Sequence, residues 1–583
     1  MDSSLRVASF VLGLLISGAA FAAAEPAGPE LIRNGDFEQP FGANGVAPHW
    51  TDNSGWAPVT VSYADEAAAA HAGGHAQRIT CSSFKGGAVQ FVQYAVPVTN
   101  GIVYRVSLWM KGDLAAPVEV QLRKSPAPYT TYASHLFRVG PQWKQFQFDA
   151  APVETDPAAM FIIRFGATGT VAVDDVSCRA VGTRSRAVRL RPPAEPIPAT
   201  YFGFHLHRNN SQTTWPAAPF GAIRLWDAHV SWPQLEPERG HWEFAGLDWY
   251  LDQAAQHGAE VLLPLGLTPT WASARPDEKS AYNGANVSKD TGWAAPPRDL
   301  ADWDNYVRAV ATHCQGKVRA YEIWNEPNET GFFTGTPDQL VELTKRAAKI
   351  VREVDPRCQV VSPGIVGSVM YLEDFIAKGG TAPADVIGFH FYVWPDPPEK
   401  MVPEILRVEE LLRDQKLANR PLWDTEAGWD IESAVNPPPL SAHGGRTPLT
   451  MSAAGDYVAR AFILNWAAGV RRYYYYAWDD GLMGLVERDG TLKPPARAYE
   501  EVHHWLLGAR MESCEADEAG TWTVRLKQAS GAPGVIVWNA KAELDFTPPA
   551  TWRVGAVRNW LGKSTPVRAG GSIRVTASPV LLE

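Results

Sequence analysis

The sequence predicts a multidomain protein: a (β/α)8 TIM barrel, preceded by an N-terminal β-sandwich of jelly-roll type and followed by a small C-terminal β-sandwich. Three observations predict this arrangement. Residues 25–182 alternate short strand-like runs with Gly and Pro turns, residues 200–508 alternate apolar strands with helical stretches, and residues 509–583 return to short strands. The length of 583 residues accommodates all three parts, because domains average about 100–200 residues.

The barrel is predicted because eight strand-like runs are separated by helical stretches. A (β/α)8 barrel takes about 250 residues plus insertions. A doubly wound open sheet is the alternative, and it is disfavoured because no Gly-rich phosphate-binding turn follows the first strand. Residues 183–199 contain four prolines and are predicted to form a linker or an edge strand before the barrel.

Residues 1–24 have the pattern of a cleavable secretion signal. Arg6 precedes the apolar run Val7–Ala20, and small residues that suit cleavage follow it. An uncleaved anchor is the alternative. No later stretch reaches the roughly 18 apolar residues of a membrane-spanning helix. We therefore expect no membrane span in the mature protein and a secreted or periplasmic location.

Composition limits the classes of partner. The chain has 53 Lys plus Arg against 63 Asp plus Glu, a net charge of −10, and no basic run. This acidic balance argues against nucleic-acid binding. The chain also carries 23 tryptophans, whose flat apolar rings suit sugar surfaces. Its five cysteines are too few for a disulfide framework and too widely spaced for a zinc site, so disulfides and buried thiols both stay open.

Two glutamates stand at the ends of predicted barrel strands, where barrel enzymes carry their reactive side chains. Glu326 follows the fourth strand and precedes a proline, and Glu426 ends the seventh strand before Ala-Gly. Facing carboxyl groups about 5–5.5 Å apart suit the cleavage of a glycosidic bond, one protonated to serve the leaving oxygen and the other ionised. This chemistry needs no catalytic cofactor.

The run Glu-Ile-Trp-Asn-Glu-Pro-Asn at residues 322–328, followed by Thr-Glu at residues 425–426, resembles the clan A glycoside hydrolases and most of all family 39. The resemblance covers about residues 200–510. It implies a retaining double displacement with Glu326 as the acid/base and Glu426 as the nucleophile. It also implies that Asn325 holds the sugar 2-hydroxyl.

The same resemblance implies roles for three further strand-end residues. Arg224, at the end of the second strand, matches a basic residue that keeps the nucleophile ionised. His390 and Tyr392, on the sixth strand, match a pair around the nucleophile and the sugar. A plain buried ion pair for Arg224 and a core histidine for His390 are the alternatives.

Three tryptophans are candidates for sugar stacking. Trp478, after the eighth strand, matches the aromatic floor of the first sugar subsite. Trp271 and Trp429 lie in loops after the third and seventh strands, where packing is the alternative role. The sequence after Glu426 departs from the usual family 39 xylosidase pattern, which leaves the sugar identity open.

The first domain begins with Leu31–Glu38 and ends with Val171–Val176. These segments resemble the first and last strands of carbohydrate-binding modules of families 4, 9 and 22. The resemblance implies a structural calcium near both ends, and Glu38 and Asp175 would supply hard oxygen ligands. A packing sandwich that binds neither calcium nor sugar is the alternative.

The sequence therefore predicts a secreted retaining β-glycosidase that acts on a β-linked polysaccharide or oligosaccharide. The alternative is a non-catalytic polysaccharide-binding or biofilm-matrix scaffold on a glycosidase-like barrel. A lyase or esterase is disfavoured because the chain has neither a Gly-x-Ser-x-Gly elbow with a plausible triad nor a His-Glu-x-x-His metal motif. Linkage and endo or exo action stay open.

Overall fold

A computed structural model describes residues 28–127, 129–207, 214–279, 291–435, 438, 447–568 and 570–583. The leader predicted at residues 1–24 lies outside the described residues. Where the structure describes the chain, no helix combines the length and the apolar character needed to cross a membrane. All five cysteines are buried free thiols.

The front domain is a sandwich of two five-stranded antiparallel sheets, as predicted. One sheet has the order β1-β4-β9-β6-β7 and the other β2-β3-β10-β5-β8. Strands are numbered along the chain, and β11 follows in the linker: β1 (Thr51–Asp52), β2 (Val59–Asp65), β3 (Gln77–Phe84), β4 (Val89–Val98), β5 (Ile102–Gly112), β6 (Val118–Arg123), β7 (Thr131–Phe137), β8 (Lys144–Ala150), β9 (Asp156–Phe165), β10 (Gly169–Thr183) and β11 (Val188–Leu190).

The second domain is a (β/α)8 barrel of parallel strands, also as predicted. Its sheet has the order β16-β15-β14-β13-β12-β20-β19-β18-β17. The strands are β12 (Phe202–His205), β13 (Ala222–Arg224), β14 (Glu260–Leu265), β15 (Ala320–Ile323), β16 (Gln359–Val361), β17 (Ile365–Val366), β18 (Ile387–His390), β19 (Leu422–Ala427) and β20 (Arg472–Tyr475). The fifth strand is split into β16 and β17. The barrel closes beside this split, where the Ser362 amide donates to the Val386 carbonyl.

Helices cover the outside of the barrel. They are α1 (Trp232–Leu235), α2 (Ala245–His257), α3 (Leu300–His313), α4 (Pro337–Val354), α5 (Val369–Ala377), α6 (Met401–Asp414), α7 (Met451–Ala467) and α8 (Pro494–Leu506). Local signals set their ends. Thr336 and Gln339 form a capping box before Pro337 at the start of α4, and Gly258 ends α2 with the left-handed φ of +69° that glycine adopts most easily.

The C-terminal domain is a sheet packed against α7. Its strands are β21 (Arg510–Ala516), β22 (Thr521–Lys527), β23 (Pro533–Asn539), β24 (Leu544–Phe546), β25 (Ala556–Asn559), β26 (Ser564–Pro566), β27 (Ile573–Val575) and β28 (Val580–Leu582). Seven strands form the sheet β11-β21-β22-β23-β28-β25-β26, and β24 pairs with β27. β11 therefore joins the linker to the edge of this sheet. The Trp560 indole, which donates to Asp456 of α7 at 2.7 Å, anchors the sheet to the barrel.

The outer face of one front-domain sheet is covered by the barrel. In the sheet β2-β3-β10-β5-β8, buried and partly exposed residues alternate along β5, which is typical of a sheet with one solvent-exposed face. In the other sheet, the five residues Val89–Gln93 of β4 are all buried. Glu119 of β6, 2% exposed, accepts a 2.7 Å hydrogen bond from Arg407 of α6. Arg138 donates two hydrogen bonds to the carboxylate of Glu373 on α5, from Nε at 3.0 Å and from Nη2 at 2.6 Å.

The Glu119–Arg407 pair should stabilise this domain interface. Burial would raise the pKa of Glu119, but the guanidinium groups of Arg164 and Arg407 outweigh burial and hold this pKa below its ordinary value of 4.5. We expect Arg407→Met to lower the free energy of unfolding by about 3 kcal/mol at neutral pH, because it removes the 2.7 Å partner of a buried carboxylate and leaves it only the Arg164 guanidinium at 3.8 Å. Thermal unfolding would measure the loss.

Arg413→Met is the matched control, since Arg413 lies on the same helix and makes only a 3.9 Å exposed contact with Glu409. A group with a lowered folded-state pKa contributes stability above its unfolded-state pKa and loses it as the pH falls. The difference between Arg407→Met and the wild-type protein should therefore shrink below about pH 4.5. Equal unfolding temperatures for the two variants at neutral pH would contradict the assignment.

Candidate active site

The interior of the barrel changes from apolar to charged along its axis. Its base is filled by one apolar cluster of side chains from the strands and their ends: Ala222, Leu262, Ala320, Val361, Val386, Trp423 and Tyr474. Side chains point to the same face of a strand at every second residue. Two positions after Ala222 and Ala320, the same strands therefore place Arg224 and Glu322 one level higher in the barrel.

Arg224 binds three groups from this level. Its guanidinium donates to Glu322 at 2.6 Å, to Glu426 at 2.8 Å and to the side-chain oxygen of Asn325 at 2.7 Å. Arg224 and Glu322 are fully buried. A planar guanidinium with donors on several sides can hold three acceptors at once, which a lysine cannot do with the same geometry.

Glu426 lies at the C-terminal end of β19 with both oxygens bound. Arg224 donates to Oε2, and the Tyr392 hydroxyl donates to Oε1 at 3.1 Å. Burial raises the pKa of Glu426 to about 7; the charge of Glu326 adds to the rise, while His390 and Arg224 oppose it. Burial and the charge of Glu426 also raise the pKa of Tyr392, so the phenol stays protonated and donates.

Glu326 lies just beyond β15 and, among the described residues, has no Lys or Arg in contact. His390 Nδ1 is 2.8 Å from Glu326 Oε1. Burial raises the pKa of Glu326 to about 8, and the negative charges of Asp227 and Glu322 add to the rise while Arg224 opposes it. Burial lowers the pKa of His390 to about 4, so this ring is neutral near pH 7. Glu326 is therefore the glutamate that keeps its proton to higher pH.

The two glutamates meet at one place, as the sequence predicted. Side-chain atoms of Glu326, His390 and Glu426 lie within 4.8 Å of one another. Carboxyl groups about 5–5.5 Å apart leave room for a sugar carbon to be attacked directly, whereas a separation of about 6.5–9.5 Å leaves room for a water molecule. The closeness of the side-chain atoms favours the shorter of these two spacings.

Asn325 has one polar atom left for a substrate. Its oxygen accepts from Arg224, and its buried Nδ2 has no hydrogen-bond partner among the described residues. A buried donor without a partner is costly, and a ligand hydroxyl can satisfy it. The structure thus places Asn325, Arg224, His390 and Tyr392 around the glutamate pair.

Trp429 is a packing residue in this structure, which corrects its prediction as a sugar platform. It is 1% exposed and its indole donates to the Asp396 carbonyl. Trp271 is half-buried, and the Arg239 guanidinium lies 4.7 Å from its ring centre. A role for Trp271 in sugar stacking stays a prediction.

Trp478 is also largely buried, at 4% exposure, and its ring packs edge-on against Phe204. Its amide donates to the carbonyl of His205. This position sets Trp478 at the end of the eighth strand beside the first, at the same end of the barrel as the glutamates. Its role as a sugar floor stays a prediction.

A cavity of about 450 Å³ is lined by residues that the sequence analysis missed, among them Asp227, whose charge raises the pKa of both glutamates. The Tyr476 hydroxyl donates to Asp227 at 2.7 Å within it. Asp227 lies three positions after Arg224, just beyond the end of β13. That position could have marked it as a candidate site residue in the sequence, because barrel enzymes carry such residues just after their strands. The lining residues are His207, Leu225, Trp226, Asp227, Ala228, His229, Val230, Ser231, Gln234, Tyr476 and Asp480.

The structure does not bring Glu38 and Asp175 together as a calcium cage. Within the described ranges, the side chains of this domain that lie close enough to share a metal ion are those of His71, Asp174 and Asp175. Glu38 is not among them. Glu38 accepts from the amides of residues 74 and 75, and Asp174 accepts from those of residues 71, 72 and 175. Ca²⁺ prefers six to eight oxygen ligands, so these side chains alone supply too few of them, and the structural calcium stays a prediction.

Comparisons with known proteins agree with this geometry. Residues 233–433 match the model of the glycosyl hydrolases family 39, and residues 29–168 match that of a carbohydrate binding domain. A β-xylosidase from Caldicellulosiruptor saccharolyticus is 31% identical over 143 residues, which are 23% of this chain and 29% of that relative. The chain thus spans under a third of the length of this curated relative.

Two solved structures are similar over most of the barrel. A glucosidase from Croceicoccus marinus has a TM-score of 0.49 at 16% identity, covering 67% of this chain and 96% of that one. A family 39 β-xylosidase from Caulobacter crescentus has a TM-score of 0.47 at 17% identity, covering 68% and 98%. By these family models, residues 233–433 are similar to the glycosyl hydrolases of family 39 and residues 29–168 to a carbohydrate binding domain.

The two raised carboxyl pKa values predict a bell-shaped pH dependence of kcat/KM. Activity should fall below about pH 7 as Glu426 gains a proton, and above about pH 8 as Glu326 loses its proton. Initial rates of aryl glycoside hydrolysis across pH would measure both limbs. In Glu326→Gln the alkaline limb should disappear while the acid limb stays, and an alkaline limb that persists would contradict the assignment.

Arg224→Met should shift the acid limb of the pH profile of kcat/KM to higher pH. Without the guanidinium, Glu322 and Glu426 share the barrel interior with no cation, so the pKa of Glu426 rises and the ionised fraction at neutral pH falls. We expect kcat/KM at pH 7 to drop about 50-fold if the pKa rises by about two units, because the ionised fraction falls from about one half to about one hundredth.

Arg472→Met is the control for Arg224→Met. Arg472 pairs with Glu260 at the opposite end of the barrel, at the start of β20. Its loss should reduce stability without moving the acid limb. Identical pH profiles for the two variants would show that Arg224 does not set the ionisation of Glu426.

Proposed function

We propose that this protein is an exported retaining β-glycosidase that hydrolyses a β-linked oligosaccharide or polysaccharide through Glu326 and Glu426. One observation carries the proposal: the side-chain atoms of the two glutamates lie within 4.8 Å, and only Glu426 is held by a guanidinium. The export step rests on the signal pattern of residues 1–24.

In the first step, Glu426 attacks the anomeric carbon as a carboxylate. Arg224 and Tyr392 each hold one of its oxygens, which fixes the direction of attack. Glu326 gives its proton to the glycosidic oxygen, so the bond to the leaving sugar breaks without producing an alkoxide. The product is a glycosyl ester on Glu426 and a free leaving alcohol.

In the second step, Glu326 is ionised and acts as a base. It removes a proton from a water molecule, which attacks the anomeric carbon and releases Glu426 as a carboxylate. Two inversions give net retention of configuration. The free Nδ2 of Asn325 is placed to donate to the 2-hydroxyl, a contact that strengthens as the ring approaches the transition state.

β-Linked xylosides are the first substrates to test. The relative that is 31% identical over 143 residues is a β-xylosidase, which makes xylose a reasonable starting sugar for this chain. The cavity lined by Asp227, His207 and Tyr476 offers polar contacts to ring hydroxyls. The non-catalytic scaffold is the weaker candidate. Burying two glutamates side by side destabilises the fold, and a barrel without catalytic activity gains nothing that offsets this cost.

We expect Glu426→Ala to abolish hydrolysis of p-nitrophenyl β-xyloside and of a panel of other aryl β-glycosides. Glu326→Gln should lose about 10²–10⁴-fold on substrates whose leaving group needs a proton, and far less on dinitrophenyl glycosides. Azide should restore turnover to the Glu326 variant by forming a β-glycosyl azide. Proton NMR of wild-type reactions should show the β-anomer as the first product.

Glu353→Gln is the control, since Glu353 lies on the outer helix α4 and pairs with Arg308. Activity within a few-fold of wild type in Glu426→Ala would remove the proposal. Glycan binding by a wild-type protein that releases no reducing ends from any member of the panel would support the scaffold instead.

A further inference from the structure

The front domain is fixed to the side of the barrel, at α5, α6 and the loop after β18, by several polar contacts. Besides the Glu119–Arg407 and Arg138–Glu373 pairs, Glu154 contacts Lys400 just before α6. The Thr130 hydroxyl donates to Asp396 at 2.6 Å. These contacts come from one sheet face and its loops, so the domain has a defined orientation on the barrel.

This orientation brings the loop between β6 and β7 beside the loop that follows β18. Asp396 belongs to the latter, which begins after His390 at the end of β18 and also contains Tyr392. His390 contacts Glu326, and Tyr392 contacts Glu426. A front-domain loop and the two residues that hold the catalytic glutamates are therefore neighbours.

A cavity of about 180 Å³ lies between the two domains at this place. Three of its lining residues come from the front domain and the others from the barrel: Tyr129, Thr130, Thr131, Gly367, Phe389, His390, Phe391, Tyr392, Val393, Trp394, Asp396, Lys400 and Glu404. Pockets for drug-sized ligands measure about 300–1,000 Å³, so this cavity suits a single ring better than a long chain. It is distinct from the larger cavity on the side of Asp227, which the barrel alone lines.

Tyr129 is presented at the rim of the cavity. Its ring is 52% exposed, a high value for an aromatic side chain. Its backbone has the left-handed φ of +60°, and its amide donates to the Pro126 carbonyl at 3.1 Å. The Arg123 guanidinium lies 5.0 Å from the ring centre and supports one side of the ring. A non-glycine residue in this conformation costs energy, and such costs concentrate at binding sites.

We propose that Tyr129 forms a sugar-binding subsite that the front domain and the barrel share. The subsite takes one pyranose ring of an oligosaccharide whose neighbouring unit lies at the catalytic glutamates. Tyr129 stacks on the apolar face of that ring, while Thr130, Asp396 and Glu404 offer polar groups to its hydroxyls. The proposal rests on the proposed glycosidase function and makes the front domain part of the substrate cleft.

The test compares Tyr129→Ala with the wild-type enzyme on xylotetraose and on p-nitrophenyl β-xyloside. We expect kcat/KM on the tetrasaccharide to fall about tenfold, equivalent to about 1.4 kcal/mol, which is the scale of one aromatic contact. The loss should appear mainly in KM. On the aryl monoglycoside, which does not reach the subsite, the change should stay within about twofold.

Two further variants separate stacking from folding. Tyr129→Phe keeps the ring and should retain the wild-type preference for the tetrasaccharide. Tyr94→Ala removes another exposed tyrosine of the same domain, outside the cavity, and should change neither substrate. Thermal unfolding of all three variants shows whether any loss of activity is a loss of folded protein.

The outcomes distinguish this inference from the function on which it rests. If wild-type protein cleaves another sugar of the panel, that sugar's tetrasaccharide and aryl glycoside replace the xylose pair. Cleavage by wild type with no selective loss in Tyr129→Ala overturns the shared subsite alone, as does an equal loss on both substrates. No cleavage of any β-glycoside by wild type overturns the proposed function as well.

Discussion

The buried guanidinium of Arg224 is the interaction on which the site depends. It donates hydrogen bonds to two acidic side chains deep in the barrel, Glu322 and Glu426, and holds the side chain of Asn325 at the same time. Burying an ion is expensive unless its partners are close and its hydrogen bonds are complete. Arg224 meets both conditions, so strands β13, β15 and β19 must keep a fixed spacing at this level. The apolar cluster beneath it, which has one or more residues from most strands, maintains that spacing.

The two glutamates have the same side chain and acquire different properties from their surroundings. Glu426 has a guanidinium and a phenol on its oxygens, whereas Glu326 has a neutral imidazole. His390 and Tyr392 are two positions apart at the end of one strand, and each contacts a different glutamate. One strand end therefore controls both carboxylates, and a small shift of that segment would alter the protonation of the whole pair.

The sequence was most informative where function depends on strand ends. The position of Glu326 and Glu426 followed from counting strands, since barrel geometry places all carboxyl ends of the strands on one face. The errors concern features that depend on contacts distant in sequence. Burial of Trp429 is decided by a carbonyl in another loop, and the covering of β4 by the barrel is decided by how two domains meet. A polar residue such as Glu119 in a strand gave no sign that its partner is on α6.

The strand topology also determines how much of the chain must be synthesised before the barrel can close. The first barrel strand pairs with the last, β12 with β20, and the linker strand β11 pairs with β21 in the final domain. The front sandwich can form from its own residues as soon as they leave the ribosome, but the barrel has open edges until residue 475 has been made. Until then, two unpaired strand edges and an uncovered sheet face are exposed to other chains. A chain of this design benefits from being kept unfolded until its synthesis is finished.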